Sequence, residues 1–72
     1  MNINEINNSD FKPCTKSVFE DVLFNPNLAV FEKTVIRPTY TKTVVCVNGD
    51  PVAIREVSRD GVKYLVKETY LS

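Results

Sequence analysis

The sequence has no histidine and no tryptophan, and only two glycines and two cysteines among its 72 residues. Without histidine it lacks the side chain that most often transfers protons near neutral pH. Two cysteines alone cannot complete a tetrahedral zinc site. A glycine-rich phosphate loop is also absent, because both glycines fall in predicted turns. The composition therefore argues against an enzyme, and it predicts no catalytic, cofactor-binding or metal-binding residues.

Long apolar runs are also missing. No stretch approaches the roughly 18 apolar residues of a membrane span, and the first ten residues, MNINEINNSD, lack the apolar segment of a signal peptide. We therefore expect no membrane association and a cytoplasmic, reducing location, in which Cys14 and Cys46 are small apolar fillers. The alternative for Cys14 is a reactive thiol, since Lys12 and Lys16 nearby could lower its pKa.

The sequence has no excess of charge of either sign, because its nine basic and nine acidic side chains give a formal net charge of zero. Bulk charge thus predicts no polyanionic partner. The hydrophobic share of 43% is typical of a folded protein, and residues 1–72 are predicted to form one small domain. Residues 1–9, with only Ile3 and Ile6 to bury, are predicted to form a mobile arm. A domain of this size buries only about 60% of its unfolded surface, so its core is small.

One short helix is predicted in the segment TKSVFEDVLF. Ser17 and Glu20 have the spacing of a capping box, and Val18, Phe19, Val22 and Leu23 then recur on one helical face. Pro26 should end the helix at about Phe24, because the residue before a proline avoids helical backbone angles.

The rest of the chain favours strands. Residues 28–36 are compatible with a second helix capped by Asn25, but the β-branched run from Thr34 to Ile36 favours a strand, which we predict. TYTKTVVCV is a strong strand pattern, and the turn signatures NGDP and RDG separate further apolar runs. The predicted fold is α+β, with one helix packed on an antiparallel meander of three or four strands. A small, partly closed SH3-like barrel is the rival arrangement.

The two turns set a predicted strand register. With NGDP as a four-residue loop, Val45 lies opposite Ile54, and with RDG as a three-residue loop, Ile54 lies opposite Val66. This register assigns six side chains to the core face: Val45, Val47, Val52, Ile54, Tyr64 and Val66. A slip of one residue in either hairpin would exchange the two faces.

The opposite face is the predicted partner-binding surface. Its candidate residues are Tyr40, Lys42, Val44, Arg55, Val57, Lys63, Leu65 and Lys67. Apolar side chains rimmed by cations are typical of a protein-contact patch. The alternative is a single-stranded nucleic acid held by Tyr40, Lys42, Arg55, Lys63 and Lys67, with phosphates on the cations and bases stacked on the ring. The cations could also serve only to keep the sheet from aggregating, or residues 28–36 or the arm could cover this face.

The functional hypothesis is a non-enzymatic binding protein that acts by contact with another protein. Small asparagine-rich chains without catalytic groups resemble accessory proteins of phages or mobile elements. The resemblance implies an inhibitor or modulator of a host protein. We expect it to dock on an acidic or nucleic-acid-binding surface, either through the sheet face on which Arg55 and Leu65 are predicted neighbours or through an exposed sheet edge. A homodimer is a further way to bury the second face, at roughly 25 cal/mol per Å² of apolar area.

Overall fold

The computed structural model describes residues 10–71; the predicted arm, residues 1–9, lies outside the described residues. The elements are β1 (Phe11–Pro13), α1 (Lys16–Leu23), β2 (Val30–Ile36), β3 (Tyr40–Val47), β4 (Asp50–Ser58), β5 (Gly61–Lys67) and a 3-10 turn at Glu68–Tyr70. The strands form one antiparallel sheet in the order β1-β5-β4-β3-β2. The predicted α+β class is confirmed. The sheet has five strands rather than three or four, and it does not close into a barrel.

The helix begins two residues before the predicted capping box. Thr15 is the N-cap, and its hydroxyl accepts a hydrogen bond from the Val18 N–H at 3.2 Å. The backbone N–H of Cys14 donates to the Tyr64 carbonyl at 3.0 Å, which keeps the chain extended up to the residue before the cap. The predicted end at about Phe24 is confirmed, since Phe24 is the C-cap. No helix among residues 10–71 has the length and apolar character needed to cross a membrane.

Two outer strands complete the sheet. The strand predicted within residues 28–36 is confirmed as β2, which pairs with β3 along its whole length. The three-residue strand β1 was not predicted. It pairs with the distant β5, Phe11 opposite Lys67 and Pro13 opposite Leu65, so its formation depends on a long-range contact that no local pattern encodes.

The predicted register of the first hairpin is wrong by two residues at the turn and by one residue from Ala53 onward. Only Asn48 and Gly49 form the loop, both with positive φ (54° and 83°), as a type I′ turn requires. Asp50 and Pro51 already belong to β4. A β-bulge then places Val45 opposite Ala53, and leaves Val52 as the extra residue. From Ala53 onward, β4 therefore turns the opposite faces to those predicted.

The second hairpin is also one residue tighter than predicted. Ser58 lies opposite Gly61, which leaves only residues 59–60 in the loop. Ile54 consequently lies opposite Leu65, and Arg55 opposite Tyr64. Since directly opposite residues share a face, Arg55 and Leu65 lie on different sides of the sheet, and the prediction that they are neighbours is wrong.

Buried side chains lie on both sides of the sheet. The helix side holds Phe19, Val22, Val45, Val47, Val52, Ala53 and Val66, and the far side holds Phe11, Val44, Cys46 and Ile54 with Leu65 packed against them. Five of the six predicted core residues lie in or against the helix-side cluster. Ile54 belongs to the far side, because the bulge puts Ala53 in its place.

The type I′ turn offers a first test. Gly49→Ala is expected to destabilise the protein by about 1–2 kcal/mol, because an L-residue is strained at this positive φ. A Cβ at Gly49 would have no atom within 4 Å, so the loss is conformational rather than steric. Urea unfolding followed by circular dichroism measures it. Arg59→Ala, in the other hairpin loop, is the control and should change stability by less than about 0.5 kcal/mol. Equal stability of Gly49→Ala and the native chain would contradict the turn assignment.

Candidate interaction surface at the open end of the sheet

A row of side chains on the helix side of the sheet lies beyond the cover of α1. We call it the open row: Ile36, Thr41, Val57 and Val62, which lie directly opposite one another on four successive strands. The row shares its side with Ala53 and Arg55, since alternate residues of a strand face the same way. Ile36 is 75% exposed, Val57 41% and Val62 48%. Three branched apolar side chains are thus presented to solvent in one row, with Thr41 between Ile36 and Val57.

A cleft lies at the same end of the sheet. A half-open cleft of about 550 Å³ lies between the β2–β3 and β4–β5 turns, and its lining includes Thr41 and Val57 of the helix side and Ser58 of the far side. Arg37 projects from one turn and Arg59 from the other, with Tyr40 and Asp60 also in the lining. Within residues 10–71 the only ion pair is Lys67 with Asp50, at 3.6 Å. Neither arginine of the cleft makes an ion pair with a described carboxylate, and two arginines against the one carboxylate of Asp60 give the rim of the open row a net positive charge.

The predicted partner-binding residues do not share one face. Tyr40, Lys42, Val44, Lys63, Leu65 and Lys67 lie on the far side, whereas Arg55 and Val57 lie on the helix side. The prediction of one continuous surface is wrong, because the bulge reverses β4 relative to β3, and the tighter second hairpin keeps β5 on its predicted side. Val57 alone of the eight belongs to the open row.

The apolar centre of the predicted surface is interior. Val44 is only 1% exposed and packs with Phe11, Cys46 and Ile54. Leu65 is half-buried beside them. Val44 is therefore part of the folded core and does not form a surface for a partner.

The predicted cationic face is not uniformly cationic in the structure. With the observed register, Glu56 lies opposite both Lys42 and Lys63, on a face predicted to have no acidic residue. Arg55 lies on the helix side with its guanidinium 5.5 Å from the centre of the Phe19 ring, a cation–π geometry. Lys67 pairs with Asp50. Of the five residues proposed to hold a nucleic acid, only Tyr40 lines the cleft.

Both cysteines are free and lie on opposite sides of the sheet, Cys14 against the helix-side cluster and Cys46 in the far-side cluster. Burial raises the pKa of the Cys14 thiol, and the backbone N–H of Phe19 offsets this only in part. The direction is opposite to the activation that the neighbouring lysines suggested. In the part of the chain that the structure describes, no three side chains of histidine, cysteine, aspartate or glutamate come together as a metal site.

The comparison with protein families identifies the lineage. A family model described as the Phage T4 Cef protein family matches residues 1–69. The chain belongs to this family. It is accordingly a small phage-encoded protein, which confirms the predicted phage origin. No curated protein and no solved structure matches the chain. The predicted role as an inhibitor or modulator of a host protein remains a prediction.

Five residues of the open row and its rim were not predicted as functional: Ile36, Arg37, Thr41, Arg59 and Val62. The signal was present in the RDG turn: a two-residue loop there pairs Val57 with Val62, whereas the three-residue loop pairs Ser58 with Val62. The exposure of Ile36 has no local signal, because it depends on how far α1 extends over the sheet.

Proposed function

We propose that this phage protein is a non-enzymatic binding protein that docks on another protein through the open row. The observation that carries the proposal is the exposure of Ile36, Val57 and Val62 in cross-strand register. Adjacent exposed apolar side chains are typical of contact sites rather than of a solvated surface. Burial of the row on a partner would stabilise both the complex and this small domain.

The rim indicates the chemistry of the partner. Arg37 and Arg59 flank the row at its two turns. A complementary surface would hold an apolar patch bordered by carboxylates, and the arginines would speed its association and fix its orientation. A phage protein of this kind would inhibit or redirect a host protein by covering such a patch.

The test replaces the apolar row by cations. Val57→Lys combined with Val62→Lys is expected to weaken binding of the partner at least tenfold, because two central apolar contacts are lost. The tagged protein is purified from phage-infected cells with and without nuclease, and the affinity of each retained protein is measured with purified components. Phe24→Lys is the matched control: Phe24 is 70% exposed but outside the row, so its replacement should leave the affinity unchanged.

The second candidate function is binding of single-stranded nucleic acid at the cleft. It is favoured by Arg37, Arg59 and Tyr40 in one lining, two cations for phosphates and a ring on which a base could stack. The same double variant separates the two candidates, since added lysines would tighten the binding of an oligonucleotide while they weaken a protein contact. Oligonucleotide affinity should also fall with salt, with a log–log slope of about −0.7 per phosphate contact. Two results would contradict the protein-contact proposal. One is the loss of every retained protein on nuclease treatment, and the other is a loss of partner affinity with Phe24→Lys as large as with the double variant.

A further inference from the structure

The two edges of the sheet differ in how they are protected. At one edge β1 is only three residues long and ends in Pro13; short strands and prolines are common protections against strand addition. At the other edge β2 runs for seven residues, VFEKTVI, with no proline, no glycine and no bulge against β3. An outer strand of this length and regularity is a template for a further strand.

The backbone groups that β2 offers can be identified. The Arg37 N–H donates to the Tyr40 carbonyl at 2.8 Å, which sets the phase of the β2–β3 ladder. Because bonding alternates along antiparallel strands, the odd-numbered residues of β2 bond to β3 and the even-numbered ones point outward. The Val30 N–H donates a hydrogen bond to the Leu28 carbonyl at 3.1 Å, so it is already paired. Within residues 10–71 no hydrogen bond uses the outward N–H and C=O groups of Glu32, Thr34 and Ile36, and we assign these groups to an added strand.

The side chains of β2 specify what could lie opposite them. On the far side of the sheet Phe31, Lys33 and Val35 follow at alternate positions, and Phe31 is 61% exposed. Lys33 makes no ion pair with any residue of 10–71. Opposite charges and apolar pairs stabilise directly opposite positions of antiparallel strands. A complementary strand therefore has an acidic residue opposite Lys33 and apolar residues two positions to each side of it.

A second copy of the chain does not meet this requirement. Full antiparallel overlap of two β2 strands would place Phe31 opposite Val35, but Lys33 opposite Lys33 of the other copy. A shift by two residues in one direction places Glu32 opposite itself, and in the other direction places Lys33 opposite Val35 and Glu32 opposite Ile36. Like charges, or a charge against an apolar side chain, oppose each of these registers. Lys33 thus acts against self-association.

We propose that β2 binds an extended segment of a partner protein as a sixth, antiparallel strand, with an aspartate or glutamate opposite Lys33 and apolar residues opposite Phe31 and Val35. This inference rests on the proposed protein-binding function and names a mode of docking for it. Backbone hydrogen bonds supply affinity in such complexes, and the alternate side chains supply selectivity. Ile36 belongs both to this edge and to the open row, so one partner could occupy both surfaces.

The test uses the full-length ¹⁵N-labelled protein and two capped seven-residue peptides, Thr-Val-Thr-Glu-Thr-Val-Thr and the same peptide with lysine at the centre. The acidic peptide is expected to shift the amide resonances of β2 and to slow hydrogen exchange at Glu32 and Thr34 at least tenfold at saturation. The lysine peptide should bind about threefold to tenfold more weakly, and Lys33→Glu should reverse the preference.

The second measurement is self-association by sedimentation. Lys33→Val should form dimers or larger species at concentrations at which the native chain is monomeric, since it removes the repulsive pair. Lys42→Val is the control, because Lys42 lies on the same face of the sheet but on the interior strand β3. Its loss should leave the chain monomeric.

Equal binding of the two peptides, no binding at 5 mM, or a dimeric native chain would overturn the inference. Partner capture that depends on Val57 and Val62 would be unaffected by that failure, so the two proposals fail separately.

Discussion

Phe19→Ala is expected to unfold most of the protein at 37 °C. Phe19 is fully buried and, with Val22, joins the two-turn helix α1 to the core of the sheet. Its ring lies 5.3 Å from that of Tyr64, tilted by 55°, and Arg55 lies over it. Truncation of a buried phenylalanine costs about 3–5 kcal/mol, and the core of a domain below about 70–80 residues rarely supplies more than that.

The measurement is thermal and urea unfolding by circular dichroism. The matched control is Phe24→Ala, because Phe24 is the same residue type at the C-cap of the same helix but is largely exposed. Its replacement should change the free energy of unfolding by less than about 0.5 kcal/mol. A Phe19→Ala variant that unfolds at nearly the native temperature would show that α1 does not hold the sheet in this way.

Val44→Asp is expected to destabilise the protein by about 3–5 kcal/mol, the cost of leaving a charge buried and unpaired. Val44 lies on the far side of the sheet among Phe11, Cys46 and Ile54. The result distinguishes a far side that is part of the core from a far side that is exposed to solvent. If this side were the exposed docking patch that the sequence suggested, an aspartate at position 44 would remain solvated and leave stability almost unchanged.

Val35→Asp is the control for this variant. It makes the same substitution on the same side of the sheet, in the edge strand β2, where Lys42 lies directly opposite. Its cost should stay below about 1 kcal/mol, because the new carboxylate is partly solvated and lies opposite a cation. Urea midpoints and ¹H–¹⁵N NMR spectra measure both variants. Equal, small losses would mean that the far-side cluster is open to solvent.

Much of the secondary structure follows from local signals. The apolar spacing from Val18 to Leu23 predicts the helix, and Pro26 predicts its end. The β-branched run from Thr34 to Ile36 predicts the strand β2. The two turns were also placed correctly, because Asn48-Gly49 and the glycine of RDG have few alternatives. These features depend on residues within a few positions of one another.

The surface available for binding does not follow from local signals. NGDP accommodates a two-residue or a four-residue loop, and both leave the same side chains on each face. The bulge at Val52 reverses the face of every later residue of β4. A register without this bulge, and with three residues in the RDG loop, places Arg55 and Leu65 on one face and Ile54 in the helix-side core. The bulge at Val52 and the position of α1 decide instead that Val57 and Val62 are exposed and that Val44 is buried.

The amino-acid sequence by itself determined one helix, the meander of strands and the positions of its reversals, because backbone propensities and turn chemistry act over a few residues. Only the tertiary structure decided which face each strand of the second half presents, that a three-residue strand joins β5, and that β2 is the outer strand of the described sheet. Those outcomes depend on a one-residue choice of register, which is settled by packing energy summed across five strands and a helix rather than by any segment alone.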